Sequence, residues 1–454
     1  MSRTLALALV LFAPASALAD QASAPPAIEL LGEVSATFAD MDRDTCAGKL
    51  EATFASLRAF DTTALDATFV DAHPRALADV WVVQRQGVDA LRALHEEGPV
   101  DEACVDGVRR VDVALRTAAD HLLMATQDAS PWLGTAELTS FEGLRSGDVL
   151  VTRGGALSSA GIAHFGAVDS SFSHNALVYV DTHGDAWTVE AYLEKGGLVQ
   201  PLGAFLDHGL GRVVVLRYED EATAAKAAHL AYQRVAHGPA IPYDEAFDSS
   251  SHEELFCSEI MPWALGLAGG PTDVPLHRTR FDHDATPELF DAMGIEVPDL
   301  AAPADLMFDP RFRVVGEWRD LNALPELHRQ DAVVDGMFRW MMEQDVALVP
   351  SWTHKATVDV GLAARRTPLL RAAVRERLHP DGDRQFLVAA LALQDAGQRL
   401  YDTVEADVGG PEVPMPRAAL DARIEVLLSE DATDAGRRGH RGGVSRVLRP
   451  TGRK

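Results

Sequence analysis

Between about residues 141 and 320 the chain abandons the helical rhythm of its two ends, and this switch of hydrophobic period narrows its possible folds more than any other feature. Upstream, over 28–126, apolar residues recur every three or four positions, as in Leu50, Phe54, Leu57 and Phe60, then Val108, Val111, Leu115 and Ala118. Leu77, Trp81, Val88 and Leu91 keep that period if Gln84 completes the stripe, although Gly87 weakens a helix there. Pro74 and the Glu97-Gly98-Pro99 break separate these stretches, so an antiparallel helical bundle is predicted over 20–139. Its last part, 127–139, has Pro131 and Gly134 among small polar residues and reads as a linker. The middle region, 140–320, shows short β-type runs at 148–152, 174–180, 186–192, 212–217 and 312–317, with helical stretches at 222–236 and after Cys257. Strands that cluster rather than alternate with helices predict an α+β domain, not a doubly wound sheet. Helical spacing returns over 326–431, with Val333, Met337, Trp340, Met341 and Val346 in one stripe that reads as core, and further stretches at 367–378, 384–404 and 417–428.

Charge sets limits on partners. The chain of 454 residues carries a formal −27, which argues against nucleic acid and against attraction to an anionic membrane. The acidity is not uniform, because 436–454 hold seven basic residues and no acid; this Gly/Arg-rich tail is predicted to be disordered. At the other end, Arg3 precedes an apolar run over 5–13, and Ala17-Leu18-Ala19 has the small-x-small pattern of a cleavage site. Residues 1–19 are therefore expected to be a signal peptide, and the mature chain to be exported, periplasmic or secreted. The run is shorter than the ~20 apolar residues that span a bilayer, and no later stretch qualifies, so no transmembrane segment is expected. Oligomeric state is left open.

Export makes the three cysteines informative. In an oxidising compartment the economical pairing is Cys46 with Cys104, worth roughly 4 kcal/mol by the chain-entropy account, which leaves Cys257 free. By composition alone Cys257 is as well read as an inert buried thiol as a reactive one. Several motifs are incomplete: His252-Glu253 and His95-Glu96 lack the second histidine of a zinc-protease helix, and no Walker loop, nucleophile elbow or dinucleotide fingerprint occurs. No metal site and no cofactor are predicted. Cys257 itself stands where a loop enters an apolar helical stretch, and free N–H groups at a helix start favour thiolate and could hold an oxyanion. Ser258 reads as a cap and Glu259 as a complement to the dipole, while Pro262 leaves the helix start in question. A base is offered by the segment 174–192: a hairpin centred near 182 or 183 sets 174 opposite 190 or 192, so that His174 and Glu190 share a face as cross-strand or diagonal neighbours. A slip of one residue would part them.

In order along the chain stand Gly147-Asp148-Val149-Leu150, Ser173-His174-Asn175-Ala176-Leu177-Val178, Val189-Glu190-Ala191, Pro242-Tyr243-Asp244 and Phe256-Cys257-Ser258-Glu259. The ordered set resembles the circularly permuted papain-like hydrolases of the YiiX/YaeF type, relatives of the NlpC-type enzymes, in which the histidine strand precedes the cysteine helix. Phe308-Asp309-Pro310-Arg311-Phe312 through Val315-Gly316-Glu317 looks like that family's closing segment. The resemblance covers about 140–320 and implies a small antiparallel sheet, with Cys257 as nucleophile, His174 as general base and Glu190 as the orienting acid. It implies a supporting place for Tyr243, for which packing is an equal reading. Asn175-Ala176 departs from the small and branched aliphatic pair the family often has. The implied activity is that of an exported cysteine amidase or peptidase, or an ester hydrolase, acting on a peptide, cell-wall or lipid-derived acyl substrate. Acyl transfer on the same fold, or a binding scaffold whose papain-like domain is vestigial, are the alternatives.

Overall fold

A computed structural model of the chain describes residues 26–126, 130–134, 137–193, 195–249, 251–281, 287–344, 346–365, 383–413, 415–438 and 443–450. The expected signal peptide, the helical stretch at 367–378 and parts of the basic tail lie outside these residues. Among those described, no helix is long and apolar enough to cross a membrane.

The N-terminal region is helical: α1 Pro26–Ala39, α2 Cys46–Ala59, α3 Ala67–Ala72, α4 Ala76–Glu97 and α5 Glu102–Ala125. Cys46 opens α2 and Cys104 lies in the first turn of α5, and a disulfide joins them across a Cα separation of 5.5 Å. Asp101 caps α5 by accepting from the Ala103 N–H. Gly87 does not interrupt α4. It is needed because a Cβ there would stand 2.7 Å from the ring of Phe38 on α1, so the loss in helix propensity is offset by a closer approach of two helices.

The central region builds one antiparallel sheet from β1 Trp132–Gly134, β2 Val149–Gly154, β3 His174–Val180, β4 Ala186–Tyr192, β5 Gly196–Pro201, β6 Leu210–Tyr218 and β9 Phe312–Arg319, in the order β1-β9-β6-β2-β3-β4-β5. The predicted linker at 127–139 is thus partly a strand: Trp132 pairs with Trp318 at the edge of the sheet, which moves the boundary of the α+β region upstream. Short helices α6 Leu157–Ala163 and α7 Leu202–Leu206 connect strands, while α8 Glu221–His237 and α9 Ile260–Ala268 cover one face. Because both faces are covered, β6 is buried at every position: its centre, 213–216, reads as an apolar run, and Arg212 and Arg217 on either side are buried in ion pairs. Val151 and Leu177 share a core with Ala228 and Ile260, and that core continues into Leu50 and Val108 of the bundle. On the opposite face Leu150, Ala176, Val178 and Val213 pack with Phe205. The pair β7 Thr279–Arg280 and β8 Asp299–Leu300, with α10 Pro287–Met293 between them, leads back to β9.

The C-terminal region holds α11 Leu324–Glu343, β10 Val346–Leu348, α12 Trp352–Arg365, α13 Arg384–Val408, α14 Arg417–Arg438 and β11 Leu448–Pro450. Val333, Met337, Trp340 and Met341 are buried in its core together with Phe281 and Phe290 of the central region. Where composition predicted a disordered tail, α14 runs on to Arg438 and β11 returns to pair with β10. The physical reason is a few apolar side chains between the basic ones: Val444, Val447 and Leu448 are buried and secure the segment despite its charge. The three regions are also tied by buried ion pairs. Asp120 of α5 accepts from Arg212 of β6 at 2.6 Å and from Arg319 of β9, and Arg153 of β2 meets Asp331 of α11 at 2.9 Å.

Candidate active site

The β3–β4 hairpin sets the first two groups of the site. Leu177 faces Val189, a register that, carried to the end of β3, sets His174 opposite Tyr192 and places Glu190 one diagonal step away on the same face. The Nε2 of His174 donates to Glu190 Oε2 at 2.8 Å. The other carboxylate oxygen accepts from Thr188 Oγ1 at 2.6 Å and from Gln200 Nε2 at 2.8 Å. Glu190 is fully buried, yet these three donors keep it ionised: burial raises its pKa, and the bond and charge of His174, with Thr188 and Gln200, lower it further than burial lifts it.

Cys257 enters from the opposite side. The segment leading to Cys257 starts where Gly197 N–H donates to Ile241 O; Gly196, at φ 67°, permits this approach, since a Cβ there would strike the Ile241 carbonyl. Cys257–Glu259 form a 3₁₀ turn, and α9 begins only at Ile260. Pro262 therefore falls in the first turn of the helix, where its missing N–H costs nothing. Ser258 does not cap the helix as the sequence suggested. It stands within the turn, its hydroxyl 3.8 Å from the Cys257 sulfur. Glu259 is turned inward to accept from the Phe256 N–H at 3.2 Å, and burial raises its pKa to about 8.

With Nε2 of His174 engaged by Glu190, Nδ1 is the ring atom left to face Cys257, whose sulfur lies near enough to influence the charge of the ring. Burial opposes charge on His174, but Cys257 and Glu190 hold its pKa up, at about 10. Burial likewise opposes charge on the thiol, and His174, the Ser258 hydroxyl and the Asn175 N–H bring the Cys257 pKa below its ordinary value. The imidazole therefore holds its proton at neutral pH, and beside it the thiol ionises more readily than an ordinary cysteine. Asn175 contributes only its backbone: its side chain is buried on the other face of β3, so the departure at Asn175-Ala176 touches packing and not the walls of the site. Tyr243 lies near enough to Cys257 for the thiolate to raise its pKa, second to burial, and so keeps its phenolic proton.

A cavity of about 480 Å³ opens beside Cys257, His174 and Tyr243. Its described walls are apolar or neutral, with histidine the one titratable type besides tyrosine and cysteine, and without Asp, Glu, Lys or Arg. The rings of Tyr192 and Phe205 flank His174 at 5.1 and 6.4 Å.

Residues 143–315 match the family described as "Permuted papain-like amidase enzyme, YaeF/YiiX, C92 family". That segment is a permuted papain-like domain. The chain is also similar to a solved structure titled as metalloprotein yiiX from Escherichia coli O157:H7, with 21% identity over 38% of this chain and 96% of that one and a TM-score of 0.30. No curated protein matches. In the permuted papain-like domain, Cys257, His174, Glu190, Ser258 and Tyr243 all come to one place. Thr188 and Gln200, which fix Glu190, were not read from the sequence; Thr188 could have been, as the i−2 neighbour on the same strand face. His164, Asp169 and Asp335 also gather, with ligand atoms within 4.8 Å. This group reads as an ion cluster, because Asp169 and Asp331 raise the His164 pKa to about 10 against its burial and Asp335 already meets Arg417 at 2.5 Å.

Proposed function

We propose that the permuted papain-like domain is a cysteine hydrolase that cleaves an amide or ester bond whose acyl side is apolar. The Cys257 thiolate attacks the carbonyl carbon, and the tetrahedral oxyanion is met by N–H groups of the 257–259 turn and by the Tyr243 hydroxyl. His174 gives its proton to the departing amine or alcohol as the carbon–heteroatom bond breaks, leaving an acyl thioester on Cys257. The neutral imidazole then takes a proton from water, whose oxygen attacks the thioester; the carboxylic acid leaves and the thiolate–imidazolium pair is restored. Glu190 acts as the orienting acid throughout, holding the ring by Nε2 while Nδ1 faces sulfur.

The observation that carries this reading is the 2.8 Å contact of His174 Nε2 with a buried, triply bonded Glu190, on a ring that shares one cavity wall with Cys257. A complete set of this kind weighs against a vestigial domain serving only as a scaffold. The uncharged cavity favours an apolar acyl group over a cell-wall peptide, whose carboxylates and amines would be buried without counter-charges. The disulfide and the leader-like residues 1–19 support an exported, periplasmic or secreted setting. The direct test is mass spectrometry of protein quenched in acid during turnover of p-nitrophenyl octanoate. An octanoyl adduct on the peptide carrying Cys257, lost in Cys257→Ser, is expected. Turnover with no adduct at any quench time in His174→Ala, where deacylation has no base, would refute it. Added amine that diverts product to an amide would move the reading to acyl transfer.

A further inference from the structure

The cavity is not made by the permuted papain-like domain alone. Val334, Met337 and Phe338 of α11 line it at helical spacing, and so do Phe386, Ala390 and Leu393 of α13. Both helices lie beyond residue 315, outside the matched segment. The inner face of α13 is tied to the segment before Cys257 through aromatic contacts. The ring of Phe247 stacks edge-on against Phe256, the residue before Cys257, at 5.5 Å, and against Phe386 at 6.0 Å. Phe247 is also the one non-glycine residue with positive φ, at 56°, among those described. A bulky side chain in the left-handed region costs of order 1–3 kcal/mol, so the surrounding contacts must hold it there. One of these is the backbone N–H of Asp383, at the start of α13, which donates to Glu245 of the same segment. On the far side, a Cβ at Gly397 would lie 3.2 Å from Leu157 of α6 and 4.0 Å from Met337, so α13 draws close to both walls at that level.

We propose that α11 and α13 form the acyl-selecting wall of the enzyme, with Ala390 leaving the width for an unbranched apolar chain and Leu393 and Met337 limiting its length. This rests on the hydrolase reading above for the bond cleaved, but the binding it claims stands apart from cleavage. A stripe facing a protein neighbour would be filled to packing density. This one faces open space beside the reactive sulfur, and it brings no charge that a polar substrate would need.

The test uses the full chain and p-nitrophenyl esters of acetate, octanoate and dodecanoate. In Ala390→Trp the ratio of kcat/KM for dodecanoate to that for acetate is expected to fall about tenfold or more, since each methylene excluded from such a pocket counts severalfold. In Leu393→Ala the same ratio should rise. Ratios unchanged in both variants, or in Leu393→Ala alone if Ala390→Trp does not fold, overturn the wall. Binding separates this from the hydrolase reading: Cys257→Ala should bind the neutral probe N-phenylnaphthylamine, displaced by dodecanol, and Ala390→Trp in that background should lose it. Probe binding that follows the wall variants while no ester is cleaved would leave the wall and remove the hydrolase; no displaceable binding would remove the wall even if esters are cleaved.

Discussion

The chemistry of the site turns on how one imidazole divides its two nitrogens between a carboxylate and a thiol. Glu190 pays the desolvation of a buried charge because three donors surround it, and it passes that negative potential to His174. The consequences for pH have a definite sign. His174 is raised above its unfolded value, so its contribution to stability is full below about pH 6.5 and is lost as pH rises through about 10. Cys257 is lowered, so its contribution is full above the ordinary thiol range and is lost as pH falls through the depressed value. Activity should follow the pair: kcat/KM rises with ionisation of the thiol at a pH below the ordinary thiol range and falls near pH 10 with loss of the imidazolium proton. A pH profile of ester cleavage checks this, and an acid limb at or above pH 8.5 would contradict it. His174 and Glu190 were legible in the sequence because period-2 alternation and a short loop confine the register of a hairpin. Gln200 was not, for its strand opens Gly196-Gly197 and closes on Pro201, which locally argue against a strand, and only its pairing along β4 makes it one.

At the level of elements, the turn that carries Cys257 shows why a proline that looked troublesome is harmless. A 3₁₀ turn places Cys257 before α9 instead of inside it, and Pro262 then falls where a helix has N–H groups to spare. The joined starts of α2 and α5 carry a second expectation. Opening the Cys46–Cys104 bond should lower stability by roughly 4 kcal/mol, seen as a drop in the urea midpoint of the reduced protein. Equal midpoints with and without reductant would contradict it. The stripe on α11 marks the limit of what periodicity can tell. Met337 and Met341 look alike in sequence and share one core, yet Met337 also borders the cavity beside Cys257, because an apolar face has the same spacing whether it meets a neighbour or space.

Across the whole molecule, the three textures of the sequence are not three separable bodies. One core passes from the N-terminal bundle into the sheet, and a chain of buried charges runs from Asp120 through Arg212 to Asp331 of the C-terminal helices. Such groups were invisible in the sequence, where an Asp in a helix or an Arg in a strand reads as a solvated face. They are tolerated in the interior because every charge meets an opposite one. Removing one partner should therefore cost far more than a surface pair would: Asp120→Asn leaves Arg212 and Arg319 under-compensated and should destabilise by about 3–5 kcal/mol, measured as a lower urea midpoint. A midpoint within error of the parent would contradict the clamp. The same clamp holds α11 against the sheet and so keeps the wall of the cavity beside Cys257. The whole account depends on that sulfur being an ionised, histidine-paired nucleophile. Its most direct test is the rate of iodoacetamide labelling of Cys257 in the native protein across pH, mapped by mass spectrometry, in the parent and in His174→Ala. Rapid labelling of Cys257 alone near neutral pH, slowed when His174 is removed, is predicted; labelling only after denaturation, or at a rate indifferent to His174, would contradict it.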